Sequence, residues 1–421
     1  MFLRFLIIFL IVVLVEVYFL QAVRTFARDF SPERRKVLMG IAIGLAALNG
    51  LLAIVAMIWP PPTWPGALRM VMGILIILSL CKLLGVLFLI VDDVIRFFKW
   101  IGLMVSAKPQ IETVEGGISR IKFLSQLAIG FTVIPAIGFI YGIVKGAYRY
   151  RIHNVQVPSA NLPAEFDGFK IVQLSDIHTG SFNDDSALRR AFNLVLEQKP
   201  DLILFTGDLV NNESKETDGY TEAYKMLQAP HGVYSVLGNH DYGDYISWES
   251  AEAKKANLDR LKEIQKECGW RLLLNEHVAI EKNGAKIGLL GIENWGGNMN
   301  FPKYGKMDET VKGSEIYPFK ILMSHDPSHW EQKVSQLYKD IDLTLSGHTH
   351  GMQMGIEIPG LKWSPSQYFY KYWAGLYKQD QQFLYVNRGL GFLGYPGRIG
   401  IWPEITVIEL KVISWKLWVV N

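Results

Sequence analysis

The run Leu343-Thr344-Leu345-Ser346-Gly347-His348-Thr349-His350-Gly351 decides how this chain is read. Its first residues form a short apolar, β-favouring run that reads as a buried strand. The run stops at a glycine, which frees the backbone to turn tightly. Two histidines one residue apart follow at once. Imidazoles crowded at the end of a strand are a pattern suited to holding a metal.

Four more strand-like runs end in polar clusters of the same kind. Residues 170–174 lead into Ser175-Asp176-Ile177-His178, and 201–205 into Thr206-Gly207-Asp208. Residues 232–237 lead into Gly238-Asn239-His240-Asp241, and 320–323 into Ser324-His325-Asp326. Helical patterns over 186–199, 220–227 and 251–267 separate them, the first stopping at Pro200. Further strand-like runs cover 286–292, 383–387 and 404–412. This alternation predicts an α/β fold with its polar residues at the C-terminal ends of strands, where open α/β sheets place their sites.

A lone Asp-x-His is a common chance match, and Gly-Asp after a strand is usually a turn. Five such clusters in one domain point to a single site. Five of the nine histidines lie in them (His178, His240, His325, His348 and His350), beside Asp176, Asp208, Asn239 and Asp241. Imidazole mixed with carboxylate suits Mn, Fe or Zn. A carboxylate can bridge two cations, and cations about 3.5–4 Å apart can clamp the attacking and leaving oxygens of a phosphate ester.

Residues 1–150 read differently. Apolar runs at 2–23, 37–59, 67–91 and 123–144 are each long enough to cross a hydrocarbon core of about 30 Å. The first exceeds the apolar region of a signal peptide, lacks an A-x-A-like cleavage site and precedes three more spans, so it reads as a retained helix. Gly40-x3-Gly44 and Gly138-x3-Gly142 are candidates for close helix approach. This part holds 15 basic and 7 acidic side chains, and residues 151–421 hold 28 and 33. The formal charge of +3 is therefore the sum of two unlike parts, an integral membrane region at 1–150 and a globular domain at 151–421.

The basic excess lies beside the spans, which excludes a basic nucleic-acid binder. With 12% aromatic and 20% charged residues the chain is not disordered. Two cysteines, Cys81 and Cys268, exclude a disulfide scaffold. Loop one (Arg24, Arg28, Arg34, Arg35, Lys36) and loop three (Arg96, Lys99, Lys108, Arg120, Lys122) carry most of the basic residues. The loop at 60–69 carries only Arg69, and the segment after the fourth span carries Lys145, Arg149 and Arg151. Positive loops stay in the cytoplasm, so the expectation is a multi-pass protein of the cell (inner) membrane with its globular domain outside the cytoplasm.

Taken together, Asp176-x-His178, Gly207-Asp208, Gly238-Asn239-His240-Asp241, His325 and Gly347-His348-Thr349-His350 resemble the signature of calcineurin-like metallophosphoesterases over about residues 165–415. Asn387-Arg388-Gly389-Leu390-Gly391 followed by Pro403-Glu404-Ile405 resembles the YaeI/YkuE-type phosphodiesterase branch. The resemblance implies a four-layer αββα sandwich with a site for two divalent metal ions at the sheet edges. It implies that Asp176, His178, Asp208 and His350 hold the first metal, and that Asp208 bridges to a second completed by Asn239, His325 and His348. It further implies that a metal-bound hydroxide attacks phosphorus, with His240 protonating the leaving oxygen and Asp241 orienting His240. Many relatives carry another Asp soon after the Gly-Asp pair, where this chain has Asn211 and Asn212.

Arg388 is a candidate for a substrate phosphate, with a structural salt bridge as the alternative. His153, His231, His277 and His329 read as capping, surface or core residues. The aromatic stretch 363–377 reads as a packed loop, a lip at a bilayer interface or a grip on an acyl chain. The expected function is hydrolysis of a phosphomonoester or phosphodiester, the substrate being a phospholipid or other lipid-linked phosphate. Alternatives are a pyrophosphatase of the UDP-diacylglucosamine type and a non-catalytic membrane sensor or scaffold.

Overall fold

A computed structural model of the chain describes residues 2–58, 66–105, 120–297 and 301–413. Most of the loop at 60–69 and Lys108 of loop three lie outside the described residues. Packing divides the chain into two units, residues 1–141 and 142–421.

The first unit contains the four spans as the helices α1 (Phe2–Phe26), α2 (Pro32–Ile58), α3 (Gly66–Val105) and α4 (Arg120–Val144). All four are long and apolar enough to cross a membrane. The buried charges Glu16, Lys82 and Asp92 are paired inside the unit. Lys82 Nζ lies 2.7 and 2.6 Å from the two carboxylate oxygens of Glu16, and Asn49 Nδ2 donates both to Glu16 (2.9 Å) and to Ser79 (2.6 Å). A polar network of this kind satisfies groups that lipid cannot. The sequence reading ends the third span at 91, but α3 runs 40 residues to Val105 and takes in Arg96 and Lys99 of the expected loop. The extension stays apolar on most positions, and Arg96 pairs with Asp92 one turn back (3.0 Å), which supports the helix. The glycine expectation also changes. Gly40, Gly44 and Gly138 have no neighbour within 4 Å of where a Cβ would stand, whereas a Cβ on Gly85 would stand 2.3 Å from the Ala128 carbonyl oxygen. Close approach between α3 and α4 therefore occurs at Gly85.

The second unit is built on two six-stranded sheets. Its strands are β1 (Arg151–Ser159), β2 (Lys170–Leu174), β3 (Leu202–Phe205), β4 (Val233–Ser235), β5 (Trp270–Leu272), β6 (Glu276–Lys282), β7 (Ala285–Gly291), β8 (Lys320–Met323), β9 (Leu343–Ser346), β10 (Ile356–Ile358), β11 (Leu361–Trp363), β12 (Gly375–Gln379), β13 (Gln382–Val386) and β14 (Glu404–Val412). One sheet runs β1-β14-β2-β3-β4-β5 and the other β12-β13-β9-β8-β7-β6. Four neighbouring strands are parallel in each, β2 to β5 in the first and β7, β8, β9 and β13 in the second. The helices are α5 (Ser186–Glu197), α6 (Thr221–Tyr224), α7 (Ala251–Glu267) and α8 (Met307–Val311). The helix expected over 220–227 is only the single turn α6.

Period-two alternation assigns each strand residue to one of two faces. Ile171, Leu202, Leu204 and Ile408 of the first sheet meet Leu289, Ile321, Met323 and Leu345 of the second in the core between the sheets. The residues between them, Val172, Leu174, Ile203 and Phe205, face outward and pack under Leu188 and Phe192 of α5 and Leu261 and Ile264 of α7. On the far side Leu290, Leu322, Leu384 and Val386 are covered by Met307, Trp330 and Val334. The order is helix, sheet, sheet, helix. Each fully buried aliphatic side chain contributes about 1.5–3 kcal/mol. The result is two sheets clamped together with the C-terminal ends of their parallel strands available for chemistry.

Candidate metal centre

Five of the cluster residues sit in a left-handed backbone conformation: Asp176 (φ 52°), His178 (49°), Asp208 (59°), His348 (71°) and His350 (50°). Asp and His are among the few residue types that enter this region at tolerable cost, and such strain concentrates at functional sites. The turns also need glycine for space. A Cβ at Gly347 would stand 1.9 Å from Ser175 Oγ and 2.2 Å from Asp176 Oδ2, and one at Gly238 would stand 2.2 Å from Asp208 Oδ1.

With the backbones this close, the side chains converge in two groups, buried except for the half-buried His348. Asp176, His178 and His350 form one, and Asp208, His325 and His348 the other, the ligand-type atoms of each lying within 4.8 Å of one another. In the first, Nε2 of His178 is 3.0 Å from Nε2 of His350, which is 3.2 Å from Asp176 Oδ1. In the second, Nε2 of His325 is 3.3 Å from Nδ1 of His348. Asp208 Oδ2 faces both groups, 3.5 Å from His178 Nε2 and 3.1 Å from His325 Nε2. Asn239 has a buried Oδ1 with no hydrogen-bond partner among the described residues. Converging imidazole nitrogens, two carboxylates and an unpaired amide oxygen are a donor set that fits two cations sharing one carboxylate. His153, His231, His277 and His329 belong to neither group among the described residues.

The surroundings orient the rings. Nδ1 of His325 is 2.7 Å from the Thr206 carbonyl, and Nδ1 of His178 is 3.1 Å from Asn211 Oδ1. Asn211 thus contacts His178 although it is not the Asp of many relatives. His240 stacks edge-on to His178 with centroids 5.0 Å apart, and its Nδ1 is 2.7 Å from the Asn211 carbonyl. Asp241 does not orient His240. Its carboxylate accepts backbone N–H bonds from Asp208, Leu209, Val210 and Gly238 at 2.8–3.2 Å. Three of those amides belong to the turn that carries Asp208 and the fourth to the turn of Asp241 itself, so Asp241 ties the two turns together.

Sequence reading missed three neighbours. Tyr370 Oη is 2.8 Å from His348 Nε2, Tyr245 Oη accepts from Asn239 Nδ2 at 2.8 Å, and Arg398 Nη2 is 3.2 Å from His350 Nδ1. Tyr370 was noticed only as one of many aromatics, and no local motif marks the other two. Arg388 is corrected too. It is buried, with Nη1 2.5 Å from Glu404 and Nη2 2.5 Å from Glu357, so both terminal nitrogens already serve carboxylates.

The electrostatics follow from burial and charge. Burial alone would raise the Asp208 carboxyl, but His325, His240 and His178 hold it well below the usual carboxylate range. Burial likewise opposes charge on His325, yet the Asp208 carboxylate lifts its pKa to about 10. Burial lowers His178 to about 3, leaving a neutral ring with a free lone pair. Burial and the Asp208 charge raise Asp241 to about 7 against the pull of its backbone donors.

Known proteins show the same combination. Residues 3–147 match the family model "Probable Calcineurin-like phosphoesterase, transmembrane domain", and residues 169–352 match "Calcineurin-like phosphoesterase". The uncharacterized metallophosphoesterase YkuE of Bacillus subtilis is 31% identical over 301 residues, covering 70% of this chain and 98% of that protein. Phosphodiesterase YaeI of Escherichia coli is 28% identical over 295 residues, covering 70% and 99%. The transmembrane protein with metallophosphoesterase domain of Danio rerio is 30% identical over 286 residues, and the match spans 66% of this chain and 61% of that protein. The strand-end site and these matches agree: the chain belongs to the calcineurin-like metallophosphoesterases, in the form that carries four membrane-spanning helices ahead of the phosphoesterase domain.

Proposed function

We propose that the chain is a membrane-anchored hydrolase that uses two metal ions to cleave a phosphomonoester or phosphodiester, and that its substrate is lipid-linked. The observation that supports this most directly is Asp208 Oδ2, one oxygen facing both histidine groups. In this reading Asp176, His178, Asp208 and His350 hold one cation, and Asp208, Asn239, His325 and His348 hold the other. Bound manganese, iron or zinc would supply Lewis-acid charge to the phosphoryl oxygens and make water more acidic.

The chain's own residues do the rest. The Asn211 carbonyl can only accept, so Nδ1 of His240 carries the hydrogen and Nε2 is the nitrogen left to serve the leaving oxygen. His348 in turn donates from Nε2 to the Tyr370 hydroxyl, whose own hydrogen is then free for a phosphoryl oxygen. Asn239 does the same for Tyr245. Four spanning helices in the same chain support a lipid-linked substrate, and the loop charges support a domain outside the cytoplasm of the cell membrane.

The test is turnover of an aryl phosphodiester and an aryl phosphate by the purified full-length protein in Mn²⁺, with Asp208→Ala as the comparison. Loss of turnover together with loss of bound metal is expected. An Asp208→Ala variant of full activity would remove the assignment.

A further inference from the structure

The excursion between β9 and β12 carries Tyr370 to the metal centre and then leaves much of itself in the open. Strands β10 and β11 pair only with each other and join neither large sheet. An isolated two-stranded hairpin is marginal in water, and this one presents Ile356, Ile358, Leu361 and Trp363 to the outside, Ile358 at 58% exposure. The next turn adds Tyr368 at 72% and Phe369 at 53%. Six large apolar side chains clustered within fourteen residues form a patch of the kind that marks an interaction surface.

The base of the excursion is fixed. Ser364 Oγ donates to the Gly351 carbonyl at 2.7 Å, and Gly355 N donates to the Ile399 carbonyl at 2.9 Å. Lys362 bonds the Ala374 carbonyl and lies 4.8 Å from the Trp373 ring centre. The patch is therefore a held feature of the fold. Its charge is one-sided. Residues 351–379 contain Lys362, Lys371 and Lys378 against Glu357 alone, and Glu357 pairs with Arg388. An apolar tip, a ring of aromatics and a surplus of lysine are the features of a segment that enters the headgroup zone of an anionic bilayer. Six residues separate Val144, the end of α4, from Arg151, the start of β1, so a bilayer is close at hand throughout the protein's life.

We propose that the hairpin Ile356–Trp363, together with Tyr368 and Phe369, inserts into the interfacial layer of an anionic phospholipid membrane. Its occupant is the bilayer itself. The consequence for catalysis, that Tyr370 and the metal centre are presented to phosphoesters lying in that surface, rests on the proposed hydrolase reading; the insertion does not.

The experiment uses the full-length protein with Cys81→Ser and Cys268→Ser, reconstituted in nanodiscs of phosphatidylcholine with phosphatidylglycerol. An environment-sensitive dye is placed at Ile358→Cys, at Phe369→Cys, or at Lys286→Cys as a control on an exposed strand. Dyes at 358 and 369 should shift to the blue and be quenched by lipids carrying a spin label near the headgroup, while the dye at 286 is not. Quenching should weaken severalfold in pure phosphatidylcholine. Absence of quenching at 358 and 369 overturns the proposal, as does equal quenching at 286. A blue shift without lipid quenching also overturns it, because the patch would then be covered by protein, whether a second copy or a partner. The readout needs no turnover, so its failure leaves the hydrolase reading to its own test.

Discussion

His348 is contacted from outside the two histidine groups. Its Nδ1 faces His325 and its Nε2 faces the Tyr370 hydroxyl, so the tyrosine holds the ring orientation. Tyr370→Phe removes one oxygen and keeps the ring. We expect affinity for the second cation to fall about 10–100-fold, as is usual when an outer partner of a metal-binding histidine is lost. Metal titration followed by elemental analysis reads this directly, and unchanged affinity would show that Tyr370 only packs. Asp241 behaves differently. Asp241→Asn would place amide hydrogens against backbone N–H groups that now donate to the carboxylate, leaving at least one buried donor unpaired. The expected cost is roughly 1–3 kcal/mol of stability, seen as a lower midpoint in denaturant. The convergence of Asp176, His178, Asp208, His325, His348 and His350 was legible in sequence because clusters of one kind recur after five strands of a single domain. Tyr245, Tyr370 and Arg398 were not. Tyr370 and Arg398 reach the centre by long-range folding and Tyr245 comes from a loop without a period, and nothing local tells a ring-orienting carboxylate from one that binds amides, as Asp241 does.

At the scale of elements, the strands that supply the site were the easiest to read. Runs such as 170–174 and 320–323 are continuous apolar segments, as parallel strands covered on both faces must be. β1, β6 and the small hairpin were missed because polar and apolar residues mix there, reflecting their exposed edges. The start of β14 carries a charge that ties it to the end of β13. Glu404 accepts from Arg388 Nη1 and from the Tyr385 and Thr406 hydroxyls, all at 2.5–2.6 Å. Burial would raise its carboxyl, but the Arg388 charge prevails and holds it at about 2 instead of 4.5. A lowered folded-state pKa means that the carboxylate contributes stability above about 4.5, and that this is lost as pH falls from about 4.5 toward 2. Thermal unfolding of the metal-free protein should therefore become steeply acid-sensitive in that window. Glu404→Gln should lose roughly 1–3 kcal/mol at neutral pH, because Arg388 Nη1 loses its buried carboxylate and the guanidinium keeps only the more exposed Glu357. It should also lose part of the acid sensitivity, the rest belonging to Asp208 and Asp176, and an unchanged acid profile in that variant would mean that those carboxylates alone set it.

For the whole molecule, the formal charge of +3 hides a division of labour. The helical part carries the basic surplus and satisfies its buried charges internally, as Glu16 and Lys82 do. The phosphoesterase part carries 28 basic and 33 acidic residues, and its Asp176 and Asp208 lie in the two histidine groups of the strand ends. Stability of that part should depend on metal, and stability of the helical part should not. A ligand that binds only the folded state at 100 times its Kd adds about 2.7 kcal/mol, and removing it returns strained left-handed turns to a site with two buried carboxylates. Chelation with EDTA should thus raise hydrogen exchange at the strand ends 176–182, 207–212, 239–245 and 347–353 while leaving 9–55 as it was. Restoring Mn²⁺ should return protection to those four segments together, since Asp208 faces both groups and couples their occupancy. Protection that recovers in 176–182 without 347–353 would contradict a shared centre, because His350 lies in the first group with Asp176 and His348 in the second with Asp208.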